Sequence, residues 1–217
     1  MIHALFDLDN TLYDHPPHRD EMDRRIELFF QEKLELDPDA AHALRVKYRE
    51  TYGTALRGLI VHHQTVPGEF LDYVHRGLPR HQVKPWPCAK EVLRDLGVPC
   101  SIFSNAPEDY VERMLDAMDL SGYFTRVFGI AATGYIGKPA PRAYRKVLEA
   151  LSLQGPDCLF VEDQIRNLGP AKALGMTTVF LGEGDVPPGF RTDVDYSIRA
   201  FKELKEVFRK IREMGAA

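Results

Sequence analysis

The stretch HALFDLDNTLYD, residues 3–14, constrains the fold of this chain more than any other part of its sequence. Its first four residues are typical of a short buried strand. Two aspartates, Asp7 and Asp9, follow at once, one residue apart. Burying a carboxylate costs several kcal/mol unless a partner compensates for the lost hydration. The pattern therefore indicates either a strand end that faces water or two acids held in place for a chemical purpose.

The composition is that of a globular protein with one core, or one core and a small appended domain. The chain has 217 residues, of which 44% are hydrophobic and 28% charged, and a formal net charge of -4. Its basic residues are spread along the chain, which argues against a nucleic-acid polymer as the partner. The three cysteines are far apart, which suits reduced thiols. We see no signal peptide and no run of the ~18–20 apolar residues that span a membrane. We expect a soluble, cytoplasmic protein without a membrane partner, and its oligomeric state is not predicted.

Short apolar runs alternate with helical patterns over most of the sequence. The runs predict strands at 3–6, 99–103, 126–130, 158–161 and 177–181. The amphipathic patterns predict helices at 89–97, 108–120, 141–151, 167–175 and 200–214. This alternation predicts an α/β fold, a Rossmann-like, doubly wound parallel sheet with helices on both faces.

The segment from about residue 19 to about residue 80 breaks this alternation. It contains four consecutive helical patterns, and Asp37-Pro38 and Pro67 mark two helix starts. We interpret the segment as an α-helical cap inserted over the carboxyl edge of the sheet. The predicted domains are a core of residues 1–15 and 85–217 and a cap of residues 16–84.

Polar residues follow the ends of four predicted strands. In chain order they are Asp7, Asp9 and Thr11, then Ser104 and Asn105, then Lys138, and finally Glu162, Asp163 and Asn167. Functional groups of parallel α/β sheets gather beyond the carboxyl ends of the strands. Carboxylate oxygens suit a hard cation such as Mg2+, whereas a hydroxyl, a backbone N–H and a lysine suit phosphate oxygens. We therefore predict one site that contains all of these residues.

The motifs together resemble those of the haloacid dehalogenase-like hydrolase superfamily. The resemblance lies in DLDNT (7–11), Ser104-Asn105, Lys138-Pro139 and VEDQIRNLGPAKALGM (161–176), in this order. The insertion after the first motif is similar to the helical cap of the first type (C1) in the phosphatase branch. Within it, YRETYGTALRGLIVHH (48–63) is similar to a stretch of pyrimidine 5'-nucleotidase-like members.

The resemblance implies a role for each motif residue. Asp7 would be the nucleophile that forms an aspartyl-phosphate, and Asp9 would act as general acid and then as general base. Mg2+ would be bound by Asp7, the backbone carbonyl of Asp9, and Asp163. The remaining predicted roles are phosphoryl binding by Ser104, Lys138 and Asn105, support by Thr11, Glu162 and Asn167, and substrate contact by Tyr52 and Arg57.

These roles favour Mg2+-dependent hydrolysis of a small phosphate monoester, with a pyrimidine nucleoside 5'-monophosphate as one candidate. A haloacid dehalogenase is disfavoured, because those members lack an acid where Asp9 stands. A phosphomutase acting on sugar phosphates stays open, since it uses the same aspartyl-phosphate, as does a non-catalytic phospho-receiver or interaction protein. Two local alternatives also stay open: Asn167 as a helix cap, and Tyr52 and Arg57 as packing or surface residues.

Overall fold

The computed structural model describes residues 2–80 and 82–215, so residues 1 and 216–217 of the predicted core lie outside the described residues. A single sheet of six parallel strands forms its centre. The strands are β1 (His3–Phe6), β2 (Cys100–Phe103), β3 (Arg126–Phe128), β4 (Cys158–Glu162), β5 (Thr177–Leu181) and β6 (Tyr196–Ile198). Their order across the sheet is β3-β2-β1-β4-β5-β6, with Ala4 of β1 paired to Cys100 on one side and Leu159 on the other. The predicted doubly wound parallel sheet is confirmed.

The described part of the chain contains nine α-helices, of which five pack on the sheet and four lie in the predicted cap segment. They are α1 (Pro16–Leu34), α2 (Pro38–Tyr52), α3 (Ala55–His63), α4 (Pro67–His75), α5 (Ala89–Leu96), α6 (Glu108–Ala117), α7 (Pro141–Leu151), α8 (Leu168–Ala173) and α9 (Leu204–Gly215). Successive residues of β1 point to opposite faces of the sheet. Phe6 therefore packs into one buried cluster, which includes α5, α6 and α9, and Leu5 packs into another, which includes α7 and α8. Every residue of β1 is consequently buried.

Helices α1 to α4 lie between β1 and α5 and share a third hydrophobic cluster, built around Phe29 and Phe30. Local sequence determines their boundaries. Asp37 caps α2 by accepting a hydrogen bond from the backbone N–H of Ala40, with Pro38 at the first helical position. Thr54 caps α3 in the same way. These helices occupy the predicted cap segment; the exact division between cap and core remains a prediction.

Gly53 joins α2 to α3 and brings the cap against the core. Its φ of +86° is one that side chains rarely adopt, and a Cβ there would lie 2.6 Å from Cδ of Pro139. Glycine is thus required both by the turn and by the close approach of the loop that carries Lys138.

Several element boundaries and one strand differ from the prediction. The strand predicted at 126–130 ends at Phe128, because the carboxylate of Glu108 accepts hydrogen bonds from the backbone N–H groups of Gly129 and Ala132 and draws the chain out of the sheet. The helix predicted at 167–175 is shorter in the structure, where α8 spans only Leu168–Ala173. The strand β6 was not predicted, because only Ile198 of its three residues is buried and no apolar run marks it.

No helix in residues 2–80 and 82–215 has the length and apolar composition required to cross a bilayer.

Close contact between α2 and α3 yields a prediction about stability. A Cβ at Gly58, inside α3, would lie 2.2 Å from Cγ of Tyr48 on α2. We expect Gly58→Ala to lower the free energy of unfolding by about 1–3 kcal/mol, the usual effect of overpacking, although alanine is the better helix former. Urea denaturation would measure this change.

Gly68→Ala is the matched control, since Gly68 is also helical and a Cβ there would have no atom within 4 Å. We expect it to be neutral or to stabilise the protein by up to about 1 kcal/mol. A Gly58→Ala protein as stable as this control would contradict the described packing of α2 on α3.

Candidate active site

Lys138 lies at the centre of the polar residues at the carboxyl edge of the sheet, and its side chain is 2% exposed. Its ammonium group donates to Oδ1 of Asp7 at 2.7 Å, to Oε2 of Glu162 at 2.8 Å and to the carbonyl of Phe103 at 2.7 Å. All three N–H donors of the ammonium are therefore used. One buried cation thus connects the ends of β1, β2 and β4.

The backbone of Lys138 is held by Asn105, which follows β2. Oδ1 of Asn105 accepts from the backbone N–H of Lys138 at 2.7 Å, and its Nδ2 donates to the carbonyl of Lys138 at 3.0 Å. The side chain of Asn105, predicted to bind substrate, therefore positions the lysine loop. Neighbouring Ser104 is buried, and its hydroxyl accepts from the backbone N–H of Ala106 at 3.1 Å.

Three carboxylates surround this lysine. Asp7, Glu162 and Asp163 each offer an oxygen within 4.8 Å of the others. Burial, and then the nearby Glu162, raise the pKa of Asp7 to about 7. Burial raises the pKa of Glu162 to about 7 against the pull of Lys138, and burial and Asp7 raise the pKa of Asp163 to about 6. Burial opposes the charge of Lys138 as well, but Asp7 and Glu162 outweigh it and raise the pKa of the ammonium.

The donor set of the cluster fits a hard divalent cation. Three acids face one ammonium, which leaves negative charge uncompensated. Oδ1 of Asp163 is buried and has no hydrogen-bond partner among the described residues. Glu162 is already engaged at both oxygens, by Lys138 and by the backbone N–H of Gln164. Asp7 and Asp163 are therefore the side chains best placed to hold Mg2+, with Glu162 as the partner of the lysine.

The two supporting residues outside the acid cluster are both buried. Oδ1 of Asn167 has no hydrogen-bond partner within the described residues, and its side chain makes no capping hydrogen bond to α8. Asn167 thus occupies the N-cap position of α8, as the cap alternative predicts, without a capping hydrogen bond from its side chain. The carbonyl of Thr11 accepts from Nε1 of Trp86 at 2.9 Å, which ties the end of the first motif to the chain where it returns from the cap.

Asp9 is half-buried beside this cluster and is surrounded by residues that the sequence did not mark. Its Oδ1 accepts hydrogen bonds from the hydroxyl of Tyr13 and, at 3.0 Å, from that of Tyr110. The ring of His18 contacts the same hydroxyl of Tyr110. Tyr13 lies within the opening stretch of sequence, so its proximity to Asp9 was foreseeable. Nothing local marks Tyr110 or His18.

A cavity of about 280 Å³ opens between the strand ends and the cap. Its floor contains the predicted Asp7, Asp9, Ser104, Asn105, Lys138, Glu162, Asp163 and Asn167. On the cap side, Arg45 and Arg49 line it from one face of α2. Arg45 is paired with Asp23 and Glu27.

The structure does not bring Tyr52 and Arg57 to this cavity. Tyr52 shares with Tyr48, four residues earlier, the face of α2 that packs on α3, and its hydroxyl lies 2.6 Å from Nε2 of His62. Arg57 lies on α3 and is absent from the cavity wall, of which Thr54 and Leu56 form part. These positions agree with the alternative that Tyr52 and Arg57 are packing or surface residues.

The buried lysine yields a prediction about pH. Lys138→Met would leave Asp7 and Glu162 buried without their cation, which costs about 3–5 kcal/mol of unfolding free energy. Both acids have a folded-state pKa near 7, above the value of about 4 in the unfolded chain, and removing Lys138 raises it further. The folded variant therefore binds more protons than the unfolded chain, and its stability falls as pH rises through 7. We expect the loss to be larger at about pH 8 than at about pH 6 in urea titrations with EDTA.

Lys172→Met is the control, because Lys172 forms a partly exposed ion pair with Asp195. It should cost less than about 1 kcal/mol, with little dependence on pH. A Lys138→Met protein that resembles this control would show that the buried lysine does not hold the acids in place.

Comparison with known proteins agrees with this arrangement. The profile of the haloacid dehalogenase-like hydrolase family matches residues 3–175. A phosphoglycolate phosphatase of Neisseria gonorrhoeae is 24% identical over 96% of this chain and 92% of its own length. The enolase-phosphatase E1 of Sorangium cellulosum is 34% identical over 57% of this chain. This chain spans only 51% of that relative, and 34% of the CbbY protein of Cupriavidus necator, which is 36% identical over the matched part.

Solved structures share the fold. The L-2-haloacid dehalogenase RSc1362 superposes with a TM-score of 0.68 at 21% identity, over 96% of this chain and 99% of that chain. A HAD phosphatase from Thermococcus onnurineus superposes with a TM-score of 0.65 at 22% identity, over 95% of this chain and 97% of that chain. At these identities the likeness concerns the fold. Since the family profile covers most of the sequence and its motifs meet in one cavity, the chain belongs to the haloacid dehalogenase-like hydrolase family.

Proposed function

We propose that this protein is a Mg2+-dependent phosphatase that hydrolyses small phosphate monoesters through an aspartyl-phosphate on Asp7. The observation that carries the proposal is that two acids, Asp7 and Asp9, line one cavity but have different partners. Asp7 is ion-paired with a buried lysine, and Asp9 is held by tyrosine hydroxyls. Names of relatives, which include phosphoglycolate phosphatase and enolase-phosphatase, support the same class of reaction.

The proposed reaction has two displacements at phosphorus. A carboxylate oxygen of Asp7 attacks the phosphorus, and the bond to the leaving oxygen breaks as Asp9 gives that oxygen a proton. Asp9 then takes a proton from a water molecule that attacks the phosphorus of the aspartyl-phosphate. The bond between phosphorus and the carboxylate oxygen of Asp7 breaks in this step, which releases inorganic phosphate and restores both acids.

The other residues compensate charge and orient the phosphoryl group. The ammonium of Lys138 balances part of the negative charge that Asp7 and the substrate bring together. The hydroxyl of Ser104 lies at the cavity wall, where it can donate to a phosphoryl oxygen. When bound by Asp7, Asp163 and the backbone carbonyl of Asp9, Mg2+ supplies further positive charge against the repulsion between carboxylate and phosphate.

The substrate is proposed no more narrowly than a small phosphate monoester. A pyrimidine nucleoside 5'-monophosphate remains one candidate, but the two residues chosen for it, Tyr52 and Arg57, lie away from the cavity wall. Phosphoglycolate and sugar phosphates are the other members of the class to test. A phosphomutase would transfer the phosphoryl group to a second sugar and not to water, and a non-catalytic phospho-receiver would accept it without turnover.

The proposal predicts that turnover depends on Asp7 and on the metal. Asp7→Asn removes the nucleophile and should lower phosphate release by more than about a thousandfold. Asp14→Asn is the matched control, because Asp14 belongs to the same stretch but is exposed and lies outside the cavity wall. Phosphate release from UMP, CMP, glucose 6-phosphate and phosphoglycolate, with Mg2+ or with EDTA, would measure both effects.

Release that requires Mg2+ and Asp7 from any of these compounds supports the proposal, and the preferred compound identifies the substrate group. Near-normal release by the Asp7→Asn protein would contradict the mechanism. Folded wild-type protein that releases no phosphate from any of them would favour the phosphomutase or the non-catalytic alternative.

A further inference from the structure

Asp9 is held by a group of aromatic side chains that belongs to none of the family motifs, here called the tyrosine cluster: Tyr13, Tyr110, His18 and His75. Tyr13 follows β1 and Tyr110 lies on α6, and both are buried. Both hydroxyls donate to the same oxygen of Asp9, Oδ1. The cluster thus connects the acid of the first motif to a core helix about a hundred residues further along the chain.

The cluster extends from the core into the cap. His18 lies on α1 and stacks on the ring of Tyr110, with 6.2 Å between the ring centroids and 17° between the planes. His75, on α4, meets the same ring edge-on at 4.8 Å. Both histidines are buried. The position of Tyr110, and through it that of Asp9, is therefore fixed by two cap helices as well as by the core.

A count of donors gives this network a direction. A tyrosine hydroxyl has one proton to donate. Because Tyr110 donates its proton to Asp9, the contact of 2.8 Å between Nε2 of His18 and the Tyr110 hydroxyl requires the histidine to be the donor. Burial lowers the pKa of His18, which favours a neutral ring. As the donor to Tyr110, this ring carries its proton on Nε2. Hydrogen bonds therefore run from His18 through Tyr110 to Oδ1 of Asp9, and Tyr13 adds a second one.

Two hydrogen bonds to one oxygen distinguish the two oxygens of the carboxyl group. Oδ1 is occupied as an acceptor, so a proton that Asp9 carries sits on Oδ2. The carboxyl group also cannot rotate without losing both hydrogen bonds. A general acid works only when its proton lies within hydrogen-bond reach of the atom that receives it.

We propose that Tyr13 and Tyr110 are positioning residues that fix the orientation of Asp9, so that Oδ2 delivers its proton to the leaving oxygen of the substrate. The inference rests on the proposed phosphatase function. In the step concerned, the bond from phosphorus to the leaving oxygen breaks while phosphorus bonds to Asp7. The proton moves from Oδ2 of Asp9 to the leaving oxygen, and the product is a free alcohol or phenol.

A series of phenyl phosphates of similar size separates proton delivery from general structural damage. The p-nitrophenolate group leaves readily without a proton, whereas phenolate and p-methylphenolate, which are more basic, need one. The measured quantity is kcat/KM, which reports the first displacement and does not include the hydrolysis of the aspartyl-phosphate that all substrates share. We expect Tyr13→Phe and Tyr110→Phe to lower kcat/KM for p-nitrophenyl phosphate by less than about threefold, and for phenyl and p-methylphenyl phosphate by about 10- to 100-fold. The plot of log kcat/KM against leaving-group pKa should therefore be steeper for the variants than for the wild type.

Two further variants complete the test. In an Asp9→Asn background, removing either hydroxyl should have no additional effect on this slope. Tyr48→Phe is the matched control, since it removes a buried tyrosine hydroxyl that contacts His63 outside the cavity, and its slope should equal that of the wild type. Urea denaturation shows which variants fold, and Tyr13→Phe alone carries the test if Tyr110→Phe does not.

Equal losses across the series would overturn the inference, because the hydroxyls would then act only through the fold. No loss for any substrate would also overturn it, because the hydroxyls would then have no role in the reaction. Failure of the proposed phosphatase function would give another result. The wild-type protein would then hydrolyse none of the phosphates, which is seen before any variant is compared with it.

Discussion

The interaction on which the rest of the structure depends is that of the Lys138 ammonium with Asp7, Glu162 and the carbonyl of Phe103. It neutralises acids that would otherwise repel each other at the end of a buried sheet. Because its three partners follow or end three neighbouring strands, it also fixes where those strands end relative to one another. Breaking such a buried pair is costly, since the remaining charge has no water to hydrate it. Asp7 is tolerated in an apolar setting for this reason, whereas Asp9 is half-buried and is held by the hydroxyls of Tyr13 and Tyr110.

The cap contacts the same loops that carry the site. The guanidinium of Arg166, three residues after Asp163, donates to the carbonyls of Arg49 and Gly53 at the C-terminal end of α2. Positive charge at a helix C-terminus is stabilising, and the carbonyl of Arg49 also accepts from the backbone N–H of Gly53. Arg49 in turn donates to Gln164, whose amide donates to Asp163. The cap is thus bound to the loop of a predicted metal ligand, while Gly53 packs on the loop that carries Lys138.

Sequence alone predicted the sheet because its central strands are buried on both faces and therefore read as continuous apolar runs. It missed β6, an edge strand with one buried residue, and it extended β3 because the hydrogen bonds of Glu108 to the following loop depend on tertiary structure. Asp7, Ser104 and Asp163 were predicted because each lies directly after a strand, where topology alone brings them together. Lys138 lies further beyond β3, and the hydrogen bonds of Asn105 to its backbone hold its loop. By contrast, Tyr110 lies 101 residues from Asp9 along the chain, and no periodicity indicates which helical tyrosine faces an acid. Tyr52 and Arg57, which were predicted to contact the substrate, lie away from the cavity wall. Sequence could not reveal this, because it does not show which face of a cap helix is directed at the core.

In the proposed mechanism Asp7 accepts the phosphoryl group from the substrate. Rapid acid quenching of the protein during turnover of a good substrate, followed by peptide mass spectrometry, detects this intermediate. We expect a phosphoryl group on the peptide that contains Asp7, and none on the same peptide of the Asp7→Asn protein. Turnover with an unmodified Asp7 peptide at every quench time, or a phosphoryl group on another residue, would show that Asp7 is not the nucleophile.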